Sequence, residues 1–364
     1  MASLVHKLPI PYECLPTEMN ERQRVLREYF CDLIPEIKES DHGWIVELRW
    51  PDHADFFVDP LIPHHLDWWR AGMSLVNIRR EVYCSAHGLI ALDDAWTLYG
   101  WSKWLTNNFS ISQPPCEVVI IHVDYHKDMM CPRIIQTACG YEDALTGNCF
   151  SIFDPPSVKS AILSGAIGIG SYIAPVVHEL PKVHIRHIRP AIIGDKDNSE
   201  GHILRNTEPD TLLRPNKPRL SMKITPTLPQ AVRCQSDECS GSYRVSSDYS
   251  YAFSDLPDCP VLLHIDMDYF NNRYDRDSEW SKRPRKHDPT LEQLLYEIDA
   301  MFNALTNSGI SQRLTNVTVA LSPGFFPSEF WRASMERLES HLLRFELPFG
   351  RSKYEGGSGD QLEQ

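Results

Sequence analysis

The chain lacks the features by which membrane and secreted proteins are usually detected. No apolar run approaches the roughly 18 to 20 residues of a membrane-spanning helix, and the N-terminus lacks the apolar segment of a signal peptide. The ten cysteines have no regular spacing. Cys234 and Cys239 lie close together, but no second pair follows at zinc-site spacing, which favours a loop with two unbridged thiols. We expect reduced thiols, a cytoplasmic location and no membrane partner.

The chain also lacks an excess of positive charge. It has 36 Lys and Arg residues against 49 Asp and Glu residues, which gives a net charge of −13. A phosphate backbone would repel such a protein, so nucleic acid is excluded as the main partner, whereas a basic substrate is compatible. The 364 residues, 42% hydrophobic and 23% charged, are typical of a soluble globular enzyme with one large or two smaller α/β domains.

The order of apolar and polar segments divides the chain into an elaboration and a core. Residues 1–80 form an N-terminal elaboration, which we expect to pack on a single catalytic domain at 81–350. Within that domain, 194–258 is rich in Pro, Ser, Asp and Asn and predicts an excursion or lid with one strand at Leu220–Thr225. The tail at 351–364 has the composition of a disordered segment.

Strands and helices alternate along residues 81–350. The predicted elements are strands at Val82–Ser85, Val118–Val123, Val183–Ile188, 261–266 and Val317–Leu321, and helices at His87–Leu105, Ser157–Leu180 and from Asp288 and Pro289 onward. This alternation predicts an α/β fold with a doubly wound, mostly parallel sheet and helices on both faces. Ligands of such sheets bind beyond the carboxyl ends of the strands.

Acidic residues follow two of these strands directly. In CEVVIIHVDYHKDMM the apolar run leads to Asp124, His126 and Asp128, and in PVLLHIDMDYF it leads to Asp266 and Asp268. Unpaired buried charges are very costly, so four carboxylates at the ends of buried strands require a cation or strong pairing. A metal centre is the simplest explanation.

The ligand types restrict the metal. Side chains alternate along a strand, so each group of acids projects to one side if strand geometry persists. Oxygen ligands with some imidazole suit manganese, magnesium or iron(II), and the absence of cysteine argues against structural zinc. Five or six ligands fit two ions that share carboxylates better than one. His122 and His264, two residues upstream, are expected to support the ligands rather than bind metal.

The motif D-x-H-x-D followed by D-x-D, each at a strand end, resembles the ureohydrolase superfamily of arginases and agmatinases. The motifs HVDYHKD and HIDMDYF are similar to those of the divergent branch that includes peptide arginases. The resemblance covers roughly residues 81 to 345. It implies an arginase-like fold and a site with two Mn²⁺ ions. The residues implied as metal ligands are His87, Asp124, His126, Asp128, Asp266 and Asp268. Of these, Asp124 and Asp266 would bridge the ions, with His64 or His65 as the alternative to His87.

The resemblance also implies residues that act on the substrate. Asp128 would hold the attacking hydroxide, and Glu329, after the last strand, would bind the guanidinium group, since a carboxylate accepts two hydrogen bonds from it. A helix-start role explains Glu329 nearly as well. His178 is the first candidate for a proton shuttle, with His184 and His187 as alternatives.

The implied function is hydrolysis of the guanidino group of arginine to ornithine and urea. An arginine-containing peptide is the expected substrate and partner, although free arginine stays open, as does the oligomeric state. Two other functions stay open as well. One is an arginase-like deacetylase or amidohydrolase, which Asp128 disfavours, and the other is a non-catalytic binding protein stabilised by its metal.

Overall fold

The computed structural model describes residues 4–51, 56–191, 198–227, 239–282 and 288–348. The predicted tail at 351–364 and Cys234 lie outside them. The strands are β1 Leu4–Ile10, β2 Ile34–Ser40, β3 Gly43–Arg49, β4 Val82–Cys84, β5 Gly88–Ala91, β6 Val118–Val123, β7 Ile134–Thr137, β8 Gly140–Asp143, β9 Cys149–Phe150, β10 Val183–Ile188, β11 Ser199–Pro209, β12 Pro218–Thr225, β13 Cys239–Ser246, β14 Val261–Asp266 and β15 Leu314–Ala320.

Helices connect most of the parallel strands. They are α1 Met19–Phe30, α2 Ile62–Trp69, α3 Trp96–Asn108, α4 Pro155–Ser164, α5 Ile173–Glu179, α6 Tyr249–Ala252, α7 Leu291–Asn307 and α8 Trp331–Arg344. None of the helices in the described ranges is long and apolar enough to cross a membrane. The eight cysteines whose side chains are described are all free thiols, as expected.

The fold is α/β, with one large mixed sheet at its centre. The strand order is β4-β5-β15-β14-β6-β10-β13-β11-β12-β7-β8-β9. The six strands from β5 to β13 run parallel, and the flanking pairs are antiparallel. From β6 the chain moves outward through β10 to β13, and it then returns to the other side of β6 with β14 and β15. The order therefore reverses between β6 and β14, which is the position where open α/β sheets bind ligands.

Two hydrophobic clusters cover the two faces of the parallel strands. Ile120 on β6 faces a cluster that contains residues of α3, α4 and α5, whereas Ile121 faces a second cluster with residues of α2, α7 and α8. Helices on both faces were expected from the sequence. The N-terminal residues form a separate sheet of order β1-β3-β2, and Phe30 and Val46 belong to the same cluster as Ile120.

The segment 194–258 differs from the expectation. Besides the predicted strand, which the structure extends to Pro218–Thr225, it contains β11 and β13, and all three strands continue the central sheet. These three strands therefore belong to the sheet and do not form a bare loop. Paired strands satisfy the backbone groups that a long bare loop would leave unbonded.

Three predicted helices have different bounds in the structure. The segment His87–Leu105 divides into the short strand β5 and the helix α3, and Ser157–Leu180 divides into α4 and α5. The break between α4 and α5 begins at Gly165, whose φ of +83° ends α4 in the left-handed conformation that glycine favours. Helix α7 starts after Thr290, which forms a capping box with Gln293, rather than at Asp288 and Pro289.

Candidate metal centre

The two acidic segments meet at the point where the strand order reverses. Strands β6 and β14 are parallel neighbours, with His122 opposite His264 and Val123 opposite Ile265. Asp124 directly follows β6 and Asp266 ends β14, so both carboxylates lie at the carboxyl edge of the sheet. Both are buried. The structure thus brings together the two motifs that the sequence placed at strand ends.

Asp124, His126 and Asp268 form one group with the geometry of a metal site. Their ligand atoms all lie within 4.8 Å of one another. His126 Nδ1 is 2.8 Å from Asp268 Oδ2 and 3.8 Å from Asp124 Oδ1. The main chain holds the carboxylates, because the backbone N–H of Tyr125 donates to Asp268 Oδ1 at 3.1 Å. This group could hold a metal ion.

A second group shares Asp124 with the first. His122, Asp124 and His264 also have ligand atoms within 4.8 Å of one another, and all three are buried. His122 Nε2 lies 3.6 Å from Asp124 Oδ2, and the Nδ1 atoms of His122 and His264 are 3.3 Å apart. Asp124 is therefore common to both metal-capable groups.

Asp128 lies beside this second group and is held by a tyrosine. The Tyr172 hydroxyl donates a hydrogen bond to Asp128 Oδ2 at 2.7 Å and lies 3.4 Å from both ring nitrogens of His264. His122 Nε2 is 3.8 Å from Asp128 Oδ2. Asp128 has a φ of +51°, so its backbone has left the extended conformation of the strand.

Asp266 is held by a residue from the loop after β15. The Ser322 hydroxyl donates to Asp266 Oδ2 at 2.6 Å, and the backbone N–H of Asp268 donates to Asp266 Oδ1 at 3.1 Å. Ser322 also has a positive φ, of +44°. Residues in such sparsely populated conformations cost of order 1–3 kcal/mol and concentrate at functional sites.

The charges of the cluster require compensation. Burial, followed by the charges of neighbouring carboxylates, raises the pKa values of Asp124 and Asp266 well above the usual range. Burial lowers the pKa of His126, but Asp268 outweighs this effect and the pKa rises to about 11. One imidazolium does not balance four carboxylates, and Asp124 Oδ2 is buried without a hydrogen-bond partner in the described part of the chain. The donor set therefore fits a divalent cation.

Buried histidines form a row across three adjacent strands. His187 on β10, His122 on β6 and His264 on β14 occupy the same level of the sheet. His187 Nε2 lies 3.1 Å from the carbonyl oxygen of Asp124. Burial lowers the pKa of His187 to about 4 and that of His264 to about 3, so both rings are neutral. The row can supply neutral imidazoles next to the carboxylates.

The structure does not bring His87 to the cluster. His87 directly precedes β5, whereas Ala91 at the other end of β5 is level with Ala320, and Ala320 is level with Asp266. Four residues at about 3.3 Å each separate these levels by about 13 Å. His87 was expected between a strand and a helix, but it stands at the amino end of a strand and therefore at the opposite edge of the sheet. The alternatives His64 and His65 lie on α2.

His178 and Glu329 have other partners. His178 Nε2 is 2.7 Å from the carbonyl oxygen of Ser221, because α5 runs back towards the amino ends of the strands. His184 is 2.8 Å from the hydroxyl of Ser242, so among the proposed shuttles only His187 lies beside the cluster. Glu329 accepts a hydrogen bond of 2.8 Å from the guanidinium of Arg273. It thus binds a guanidinium, but one that belongs to the chain itself.

Sequence reasoning missed two residues of the site, Tyr172 and Ser322. It also missed the strand end before Asp94, which follows β5 and is 4% exposed. The segment ALDDAW carries a strand-end signal of the same type as the two motifs, but the short strand is hidden within an apolar stretch that continues into α3. Tyr172 and Ser322 gave no signal, because they reach the cluster only through tertiary contacts.

Comparison with models of known protein families finds no match to this chain, and no curated protein matches it. The function is therefore argued from the geometry of the cluster.

Proposed function

We propose that this chain is a hydrolase with two Mn²⁺ ions that cleaves the guanidino group of arginine, in a peptide, to ornithine and urea. The observation that carries the proposal is Asp124, which lies at the reversal of the strand order and belongs to both metal-capable groups. A metal ion that only stabilised the sheet would need only one such group. A pair of ions at a strand-end edge is the arrangement of a hydrolytic centre.

The donors divide between the two ions. Asp124, His126 and Asp268 would hold one. The other would lie at the second group, where His122 and His264 are close enough to Asp124 to orient it or to bind metal, and Asp128 and Asp266 would contribute further oxygens. Bound there, the ions would activate water near neutral pH. Oxygen-rich ligand sets suit manganese over zinc.

The side chains around the ions have separate tasks in the reaction. Asp128, fixed by the Tyr172 hydroxyl, would accept a hydrogen bond from the attacking water and take up its proton. Water adds to the guanidinium carbon, the bond from that carbon to Nε breaks, and a proton passes to the departing amine. The products are urea and the amine of ornithine. Glu329, whose side chain is 34% exposed, is proposed to bind the substrate guanidinium once its pair with Arg273 opens.

The position of the N-terminal region and the charge of the chain motivate the choice of a peptide substrate. Phe56 and Phe57 from the N-terminal region line a small cavity together with Ser322, which binds Asp266. Loops and added segments around strand ends commonly shape binding clefts, and the net charge of −13 favours a basic peptide. We therefore expect arginine in a polypeptide to be preferred over free arginine.

One experiment tests the proposal. Manganese-loaded protein is incubated with free arginine, agmatine and arginine-containing peptides, and urea is measured together with the mass loss that corresponds to CN₂H₂. Urea release from the peptide is expected, and Asp124→Ala should abolish it with loss of more than one metal equivalent. Metal binding without urea from any guanidine compound would contradict the proposal and favour a binding protein. Release of acetate from an acetylated amine would favour the deacetylase.

A further inference from the structure

We propose that Asp94, at the carboxyl end of β5, is a metal ligand in the place that the sequence assigned to His87. The inference deepens the proposed function, because it rests on the same pair of ions. It concerns the ion next to Asp128 and Asp266.

The sheet places Asp94 at the correct edge. Ala91 ends β5 and is level with Ala320 and, through it, with Asp266. Asp94 lies three residues further on, beyond the strand end. The backbone N–H of Ser322 donates to the carbonyl oxygen of Leu92 at 3.1 Å, and the Ser322 hydroxyl donates to Asp266. The chain segment that carries Asp94 is therefore tied to the segment that positions Asp266.

The carboxylate of Asp94 is buried, and none of the residues that the structure describes forms an ion pair with it. The residue is 4% exposed, and within the described ranges its Oδ1 atom has no hydrogen-bond partner. The adjacent Asp93 differs, because Arg79 forms an ion pair with it. A buried carboxylate without a partner costs several kcal/mol unless a cation neutralises it.

A small cavity at the carboxyl edge is lined by Asp94 and by Ser322, whose hydroxyl donates to Asp266. This places Asp94 on the side of the sheet where Asp266 lies. After burial itself, the charge of Asp128 is the main cause that raises the pKa of Asp94, and Asp93 and Asp266 also contribute. A divalent cation would relieve this repulsion, and oxygen donors suit Mn²⁺.

The test compares Asp94→Asn with Asp94→His and with Glu179→Gln as control. Asn keeps the volume but removes the charge, and His restores a metal-binding group. Glu179 is a partly buried carboxylate near the end of α5 that hydrogen-bonds to Ser151. Each full-length protein is stripped with a chelator, titrated with Mn²⁺ and analysed for ions per chain and for the spin-coupled signal of a manganese pair.

We expect Asp94→Asn to bind one ion at least about a hundredfold more weakly and to lose the spin-coupled signal, while Asp94→His and Glu179→Gln retain two ions. In chelator, Asp94→Asn should melt no lower than the wild type, because it loses an uncompensated buried charge, and this separates metal loss from misfolding. Two ions bound to Asp94→Asn with wild-type affinity would overturn the inference, as would a wild type that binds no divalent ion. If metal is unchanged but binding of an arginine-containing peptide is lost, Asp94 contacts the substrate instead, and the inference is also wrong.

The metal readout is independent of turnover. A wild type that binds two ions but releases no urea would refute the proposed function. The inference on Asp94 would then be decided by the number of ions that each variant binds.

Discussion

Replacement of Tyr172 by Phe removes a single hydroxyl from the candidate centre. The Tyr172 ring is fully buried and packs against Trp101 and His264, with ring centroids 5.8 Å and 5.4 Å away. Phe retains these contacts. What it loses is the hydrogen bond of 2.7 Å to Asp128 Oδ2 and the longer contact, of 3.4 Å, to the ring nitrogens of His264. Because the bond to Asp128 is much the shorter, the main effect on metal binding is expected through Asp128.

The expected magnitude follows from the charge of the acceptor. A hydrogen bond to a charged group contributes about 1.5–3 kcal/mol, and about 1.4 kcal/mol corresponds to a factor of ten. The affinity for one Mn²⁺ ion should therefore fall by about 10- to 100-fold. Burial raises the pKa of Asp128 and the Tyr172 hydrogen bond opposes this, so Tyr172→Phe raises that pKa further. The loss of affinity should be larger at lower pH, where protons compete more strongly.

Mn²⁺ titration of the metal-stripped proteins, followed by calorimetry at two pH values, measures the effect. Tyr83→Phe is the matched control, because the Tyr83 hydroxyl donates to the carbonyl oxygen of Trp69 at 3.0 Å on the edge strand β4. It should lose some stability but no metal affinity. If Tyr172→Phe binds Mn²⁺ as tightly as the wild type at both pH values, Tyr172 does not hold Asp128 in the metal-bound state.

Three further predictions concern the sheet, pH and the substrate. A Cβ at Gly88 would lie 1.7 Å from a carbonyl oxygen of β15, whereas one at Gly140 meets nothing within 4 Å, so in urea unfolding Gly88→Ala should lose several kcal/mol more than Gly140→Ala. Burial raises the pKa of Glu179 to about 7. The stability that protonated Glu179 contributes is fully present below the pKa of the unfolded chain, about 4.3, and is lost as the pH rises through 7. Between about pH 5 and pH 8 the melting temperature of the wild type should therefore fall more than that of Glu179→Gln. Glu329→Gln should keep both ions but lower turnover with a peptide at least about tenfold; normal kinetics would leave Glu329 as the partner of Arg273 only.

The parallel core of the sheet could be predicted from the sequence because its strands are continuous apolar runs. Val118–Val123 and Val183–Ile188 have the predicted bounds, as expected for strands buried on both faces. Strands β11 and β12 continue the sheet as antiparallel, partly exposed strands, and the three strands at 199–246 were largely missed because they are rich in polar residues, where β-propensity is weak. Strand β5 was missed because a run of only four residues, followed directly by a helix, is too short to show the apolar pattern that distinguishes a strand from a helix. That single error also placed His87 between a strand and a helix, whereas it directly precedes β5.

The convergence of the acidic residues has a different cause from the one that the sequence suggested. Alternation along a continued strand predicts that Asp124, His126 and Asp128 project to one side. Strand β6 ends at Val123, however. Beyond it the backbone N–H of His126 donates to Asp124 Oδ1, and Asp128 adopts a positive φ.

A turn held by its own aspartate therefore directs the three side chains towards β14. Such a turn depends on short polar side chains at fixed spacing, so D-x-H-x-D specifies the backbone as well as the ligands. Replacement of Asp124 would then misplace His126 and Asp128 as well as remove one ligand, and this is a physical reason to expect it to affect both ions.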